Sequence, residues 1–236
     1  MKVIVIIPAA GLGTRMSAAP GGPKSTSKQF FELQGTPILI HTLRKFARCG
    51  AVSEIVVALR KSETPTFQQQ IAGEEFCKPL RIVEGGEHRQ NSVANAIAAL
   101  GASDDDIVLV HDAVRPFVTA EIIREVIEAV RKYGAAIAGM PAVDTVKQVE
   151  RTSEGAIIKA TIPRAGVVLA QTPQGFRYSL IKKVFDEAAA DGFMGTDEAS
   201  LAERSGHEVA VVMGSPKNIK ITTPADMELA EFYLRK

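Results

Sequence analysis

Short runs of branched apolar residues, alternating with stretches of helical spacing, constrain this chain more than any other feature. The runs lie at 2–8, Glu54–Leu59, Leu80–Glu84, 107–111, 135–140, 166–171 and 208–213. They are near-continuously apolar, as strands must be when helices cover both of their faces. Helical patterns fall at 37–48, 91–100, 120–132, 179–190, 198–205 and Pro224–Leu234. In the last, Thr223 is placed to cap, Pro224 takes the first helical position and Asp226 follows three residues after the cap. This alternation predicts an α/β fold with a doubly wound, mostly parallel sheet. A chain of 236 residues suits one such domain, spanning 1–236.

Two segments break the rhythm. Residues 17–27 are rich in Ala, Gly, Pro and Ser and read as a loop after the first glycine turn. Residues 143–162 are polar and β-leaning, with Ser153-Glu154-Gly155 as a turn, and read as a β-hairpin projecting from the core. A projecting arm suits a homodimer, and an ordinary surface hairpin fits the same pattern.

A formal charge of +1 lacks the concentrated basic face that nucleic acid requires. Cys49 and Cys77 make neither a disulfide framework nor a zinc site. No apolar stretch is long enough to span a bilayer, and MKVIVIIPAAG is too short an apolar run for a signal peptide. The expectation is a cytoplasmic protein with no membrane or nucleic-acid partner.

The first strand runs into PAAGLGTRM (8–16). Small residues let backbone come close to a ligand, and their N–H groups can cradle phosphate oxygens. A dinucleotide fingerprint would need a small residue where Met16 stands, and an acidic one where Arg60 and Lys61 follow the second strand. A Walker A loop needs Gly before Lys-Ser, and Pro23 precedes Lys24. Arg15 and a downstream lysine instead supply cations suited to a triphosphate whose pyrophosphate end departs. The four histidines, His41, His88, His111 and His207, show no metal-ligand spacing, and no nucleophile elbow is present. His111 reads as a satisfied buried histidine.

The later motifs are SKQF (27–30), EGGEHRQNSV (84–93), VHDAVRPFV (110–118), DTVK (144–147), QTPQGF (171–176), GTDEAS (195–200) and NIKIT (218–222). In this order and spacing they closely resemble, over essentially the whole chain, the 2-C-methyl-D-erythritol 4-phosphate cytidylyltransferases of the non-mevalonate isoprenoid pathway. The resemblance implies a Rossmann-like nucleotidyltransferase that transfers CMP from CTP to the polyol phosphate, with Mg²⁺, and releases pyrophosphate. It makes Arg15, Lys28 and Lys220 the catalytic cations. It places CTP against Ala9, Ala10, Gly11, Gly13, Gly86, Glu87, Arg89, Ser92, Asp112 and Ala113. It places the acceptor against Arg115, Thr145, Arg164, Thr172 and Thr196, and makes Asp112 the candidate Mg²⁺ contact. Thr145 and Arg164 would reach the neighbour's site in a homodimer joined through the 143–162 arm.

Bland readings stand beside several of these roles. Ser92 suits a helix-start hydroxyl, Arg115 a salt bridge with Asp112, and Lys220 an internal aspartate such as Asp197. The family usually carries Pro-Lys-Gln where this chain has Ser27-Lys28-Gln29, with Pro23-Lys24 upstream, so Lys24 could share the role of Lys28. Val114 replaces the usual alanine beside Asp112. A cytidylyltransferase for ribitol 5-phosphate shares most of these motifs. A CTP sensor without turnover would have no need of cations aimed at a departing pyrophosphate.

Overall fold

Val3, Val5 and Ile7 pack on one side of a central sheet, Ile4 and Ile6 on the other, and all five are buried. That is why the first run is apolar without interruption. The structure, a computed structural model, describes residues 1–11 and 27–235. In chain order its elements are β1 (Val3–Pro8), β2 (Glu32–Leu33), β3 (Thr36–Pro37), α1 (Ile38–Ala47), β4 (Glu54–Leu59), α2 (Thr64–Ile71), β5 (Leu80–Glu84), α3 (Arg89–Ala98), β6 (Ile107–Val110) and α4 (Ala120–Tyr133). They continue with β7 (Ala135–Pro141), β8 (Val146–Thr152), β9 (Gly155–Ile162), β10 (Val168–Arg177), α5 (Tyr178–Ala190), α6 (Glu198–Arg204), β11 (Ala210–Met213) and α7 (Pro224–Leu234).

The main sheet has seven strands in the order β11-β7-β10-β6-β1-β4-β5. β10 runs antiparallel to both its neighbours, and the other pairings are parallel. One face carries Leu39, Leu43 and Phe46 of α1 and Ile123, Val126 and Val130 of α4. The other carries Val93 and Ile97 of α3, Ile181, Val184 and Phe185 of α5, and Leu201 of α6. This is the expected α/β, mostly parallel sheet with helices on both faces. A third cluster joins Leu33, Ile38, Val114, Ile221 and Ala230, pinning α7 beside the carboxyl end of β6. At α7 the anticipated cap is present: the Thr223 hydroxyl accepts from the Asp226 N–H at 3.2 Å. β8 and β9 form a two-stranded antiparallel sheet of their own, separate from the main sheet.

Several elements differ from the sequence expectation, among them the short strands β2 and β3, which were not anticipated. β10 continues to Arg177 rather than stopping at 171. Pro173 looks like a strand terminator because it cannot donate to a ladder. It sits, however, within a pairing irregularity between Ala170 and Gln174, after which pairing with β7 resumes and pairing with β6 begins. Gly175 then passes beneath α4, where an added Cβ would lie 2.8 Å from side-chain atoms of both Leu109 and Val130. α3 begins at Arg89 rather than 91, so Ser92 lies within the helix and not at its start. α2 has no apolar stripe, since Phe67 is its one buried residue, and periodicity does not reveal it.

Candidate active site

The carboxyl ends of β1 and β6 lie side by side, and β10 enters beside β6. This is where open α/β sheets hold ligands. After β1 the chain is drawn tight. The Ala9 N–H donates to the Ala58 carbonyl at 2.8 Å. The Ala9 carbonyl accepts from Gln29 Nε2 at 2.5 Å, and that of Ala10 accepts from Arg60 Nε at 2.7 Å. The Ala9 donor is therefore spent on the sheet and is not offered to a phosphate. Across from it, a Cβ built on Gly85 would fall 2.4 Å from the Ala10 Cβ, so the two turns touch only because residue 85 is glycine. Ser92 sits under the second turn. Its hydroxyl accepts from the Gly86 N–H at 3.1 Å and lies 3.1 Å from the His88 carbonyl.

These segments bound a cleft of about 160 Å³ lined by Ala9, Ala10, Gly11, Lys28, Gln29, Arg89, Ser92, Asp112, Ala113 and Lys220, among others. A second cleft, of about 200 Å³, is lined by Arg89, Asp112, Arg115, Gln171, Thr172, Thr196 and Lys220, among others. The two share Arg89, Asp112 and Lys220.

Asp112 is buried and is held by three cations. Arg89 Nε lies 3.2 Å from its Oδ1, and Arg115 Nε lies 3.2 Å from its Oδ2. Lys220 Nζ lies 2.9 Å from Oδ2. Burial would raise the carboxyl pKa, but Arg89, Lys220 and Arg115 hold it far below the usual carboxylate range. Arg89 also reaches Glu198 Oε1 with Nη1, at 2.6 Å. Burial would lower the pKa of Arg89, yet Glu198 and Asp112 outweigh it and fix the cation. Burial pushes the Glu198 carboxyl up, against the pull of Arg89.

Lys220 does pair with an internal aspartate, but it is Asp112 and not Asp197. Asp197 instead caps α6, accepting from the Ser200 N–H at 3.0 Å, and accepts from Gln174 Nε2 at 2.8 Å. Ile221 N donates to the Val114 carbonyl at 3.0 Å and its side chain is buried in the small cluster with Val114. The apolar neighbour thus anchors the segment while Lys220 reaches the other way.

A hydrogen-bond relay sets the turn that carries Asp112 and Arg115. The Asp112 N–H can only donate, so Thr172 Oγ1 accepts it, at 3.1 Å. The Thr172 proton then goes to His111 Nδ1 at 3.0 Å, and His111 Nε2–H donates to the Arg115 carbonyl at 3.1 Å. Burial pushes the His111 pKa down to about 4, consistent with this neutral ring. Arg115 further donates from Nη1 to the Asn218 carbonyl at 2.7 Å, while Asn218 Nδ2 donates to the Thr172 carbonyl at 2.9 Å.

Most anticipated residues therefore surround the two clefts. Gly86 stands behind the first, bonded to Ser92, and Glu87 is exposed and lines neither. Gly13, Arg15 and Lys24 lie outside the described residues. Thr145 and Arg164 are exposed at the base of the β8–β9 arm and line neither cleft; Arg164 Nη1 donates to the Val143 carbonyl. Sequence reasoning passed over Glu198, Gln171 and Asn218. All three lie inside motifs already noted: Glu198 partners Arg89, Asn218 partners Arg115 and Thr172, and Gln171 lines the second cleft and accepts from Asn218 Nδ2 at 3.2 Å.

A sequence profile described as IspD, 2-C-methyl-D-erythritol 4-phosphate cytidylyltransferase, matches residues 3–236. The protein of that name from Acidobacterium capsulatum is 58% identical over 236 residues, covering 100% of this chain and 98% of its own length. That from Solibacter usitatus is 51% identical over 237 residues, covering 100% and 97%. Among solved structures, the 4-diphosphocytidyl-2C-methyl-D-erythritol synthase of Anaerococcus prevotii superposes with a TM-score of 0.83 at 31% identity, covering 100% of this chain and 96% of its own. The Francisella tularensis cytidylyltransferase superposes with a TM-score of 0.82 at 35% identity, covering 98% and 99%. With two clefts meeting on one caged aspartate, and with relatives matched end to end, the chain belongs to the IspD family, the 2-C-methyl-D-erythritol 4-phosphate cytidylyltransferases.

Proposed function

We propose that this chain transfers CMP from CTP to 2-C-methyl-D-erythritol 4-phosphate, giving 4-diphosphocytidyl-2-C-methyl-D-erythritol and pyrophosphate. The observation that carries the mechanism is the sharing of Arg89, Asp112 and Lys220 by both clefts. In this reading CTP occupies the cleft over Ala9, Ala10, Gly11 and Ser92, and the acceptor occupies the one beside Arg115, Thr172 and Thr196. The α-phosphorus then lies at their junction. An oxygen of the acceptor phosphate attacks it in line, the bond to the bridging oxygen of pyrophosphate breaks, and pyrophosphate leaves. A phosphate monoester is already ionised near neutral pH, so no general base is needed. Catalysis is positioning and charge stabilisation. Lys28, on the first cleft, and Lys220, at the junction, take up charge on the triphosphate, and Arg15 joins them in this reading.

In this reading a magnesium ion arrives with the nucleotide, since Mg²⁺ favours few carboxylates, several waters and phosphate oxygens. Asp112 would be its protein contact, with Lys220 passing from the carboxylate to phosphate. The ion, when bound, neutralises charge on the departing pyrophosphate.

A homodimer built through the β8–β9 arm belongs to the same reading, and Thr145 and Arg164 would enter the partner's acceptor cleft. It is supported by the exposed Val149, Ile157 and Ile158 of the arm, and by an apolar groove of about 470 Å³ at its base, bounded by Met140, Val143, Val146 and Leu169. A cytoplasmic setting follows from the nucleotide used. No helix among the described residues is long and apolar enough to cross a membrane.

The test is pyrophosphate release with CTP and Mg²⁺, comparing 2-C-methyl-D-erythritol 4-phosphate with ribitol 5-phosphate. Release with the first alone is expected. Release with the second alone would move the chain to another acceptor, and release with neither would remove the transferase reading.

A further inference from the structure

We propose that Glu198 is a positioning residue of the transfer site, which holds the Arg89 guanidinium from behind so that its Nε edge faces Asp112 where the two clefts meet. This rests on the transferase reading above. Glu198 is 1% exposed and lines neither cleft, so it does not touch substrate. Its Oε1 accepts from Arg89 Nη1 at 2.6 Å, which is shorter than the 3.2 Å from Arg89 Nε to Asp112 Oδ1. The tighter grip on Arg89 is therefore the hidden one. Arg89 itself stands at the first turn of α3 and borders both clefts. Without Glu198, a long flexible cation already beside a caged carboxylate would collapse onto it. With Glu198, one end of the guanidinium is fixed in the core and only one edge is presented.

Stability gives a poor account of this pair. A buried ion pair returns little net stability against the cost of desolvating both charges. Glu198 Oε2, moreover, is buried with no hydrogen-bond partner among the described residues. A carboxylate kept in the core with half its capacity unused is better explained by where it sends its cation. Arg89 joins the two carboxylates, whereas Arg115 and Lys220 pair with Asp112.

The test is a double-mutant cycle of Glu198→Gln with Arg89→Gln, assayed well below each variant's melting temperature. Beside it, the Arg89 Nε–Hε signal is followed by NMR, assigned by its loss in Arg89→Gln. With Arg89 present, Glu198→Gln should lower kcat/KM roughly tenfold or more, the scale of a misplaced catalytic group. It should also broaden or shift the Arg89 signal. In the Arg89→Gln background the same change should alter kcat/KM less than about twofold, because an effect relayed through Arg89 cannot be lost twice. The doubly neutral pair should fold, since removing both buried charges together costs little. An equal loss in both backgrounds, or an unchanged Arg89 signal, would overturn the proposal. The NMR result stands without turnover, so it separates this proposal from the choice of acceptor.

Discussion

Lys220 Nζ lies 2.9 Å from Asp112 Oδ2, joining the NIKIT segment at 218–222 to the turn after β6 across the mouth of both clefts. The two ends of this pair differ in burial. The Lys220 side chain is 36% exposed, that of Asp112 only 8%. Asp112 also carries Arg89 and Arg115, whereas Lys220 has room to leave for a phosphate.

The two residues should therefore fail differently. Lys220→Ala should keep the fold and raise the barrier by about 3 kcal/mol or more, the scale of one preorganised contact to developing charge. Asp112→Ala removes the carboxylate shared by the part-buried Arg89 and Arg115, and should lower stability besides activity. Thermal unfolding and single-turnover rates distinguish them. Lys28→Ala belongs with Lys220→Ala, and near-normal turnover would remove Lys28 from this role.

Gly85→Ala tests the floor of the nucleotide cleft. Its Cβ would fall 2.4 Å from the Ala10 Cβ and 3.2 Å from Ser92 Oγ. Relieving that overlap should cost about 1–3 kcal/mol, read as a roughly fivefold to 150-fold weaker Kd for CTP by calorimetry. Unchanged CTP affinity would mean the two turns do not shape the nucleotide site.

β1 and β4 were legible in the sequence because strands enclosed by helices carry apolar residues at almost every position. The same logic failed at β10, where Pro173 imitates a strand end, and at α2, where Phe67 alone is buried. The site divides in a similar way. Residues that touch the clefts lie in motifs with an order and spacing of their own. Their partners do not announce themselves: Arg89 and Glu198 are 109 positions apart, and Arg115 and Asn218 are 103 apart. Only the folded sheet brings them together. Thr172 shows the limit from the other side, since its motif suggests substrate contact while the hydroxyl is already engaged by Asp112 N–H and His111.

Chelation should separate fold from function. Without a protein-built metal cluster among the described residues, EDTA should leave the melting temperature unchanged and abolish pyrophosphate release. Excess Mg²⁺ should restore it. Full turnover in EDTA would remove the ion from the proposed reaction.

The arm offers a test that spares both clefts. Ile157 and Ile158 are exposed on β9 and border neither one. If the chain pairs through the arm as proposed, sedimentation velocity should give a dimer for the wild type and a monomer once both are replaced with Asp, and turnover should fall with it if Thr145 and Arg164 serve the partner's site. A double variant that remains dimeric places the interface elsewhere.

His111 makes the stability of the fold depend on pH. Burial lowers its pKa from 6.5 to about 4. Between those values the unfolded chain binds the proton and the native chain does not, so stability rises with pH across this window. The contribution is fully present above pH 6.5 and is lost as pH falls toward 4. At full extent it is on the order of 3 kcal/mol. Glu198, whose pKa is raised, acts in the opposite sense above its ordinary value, and His41, also lowered by burial, acts with His111. Comparing wild type with His111→Gln by urea unfolding at pH 7.5 and pH 5 isolates the histidine. The wild type should lose more stability than the variant on acidification. Equal losses would mean that His111 is not held neutral by the relay through Thr172 and the Arg115 carbonyl.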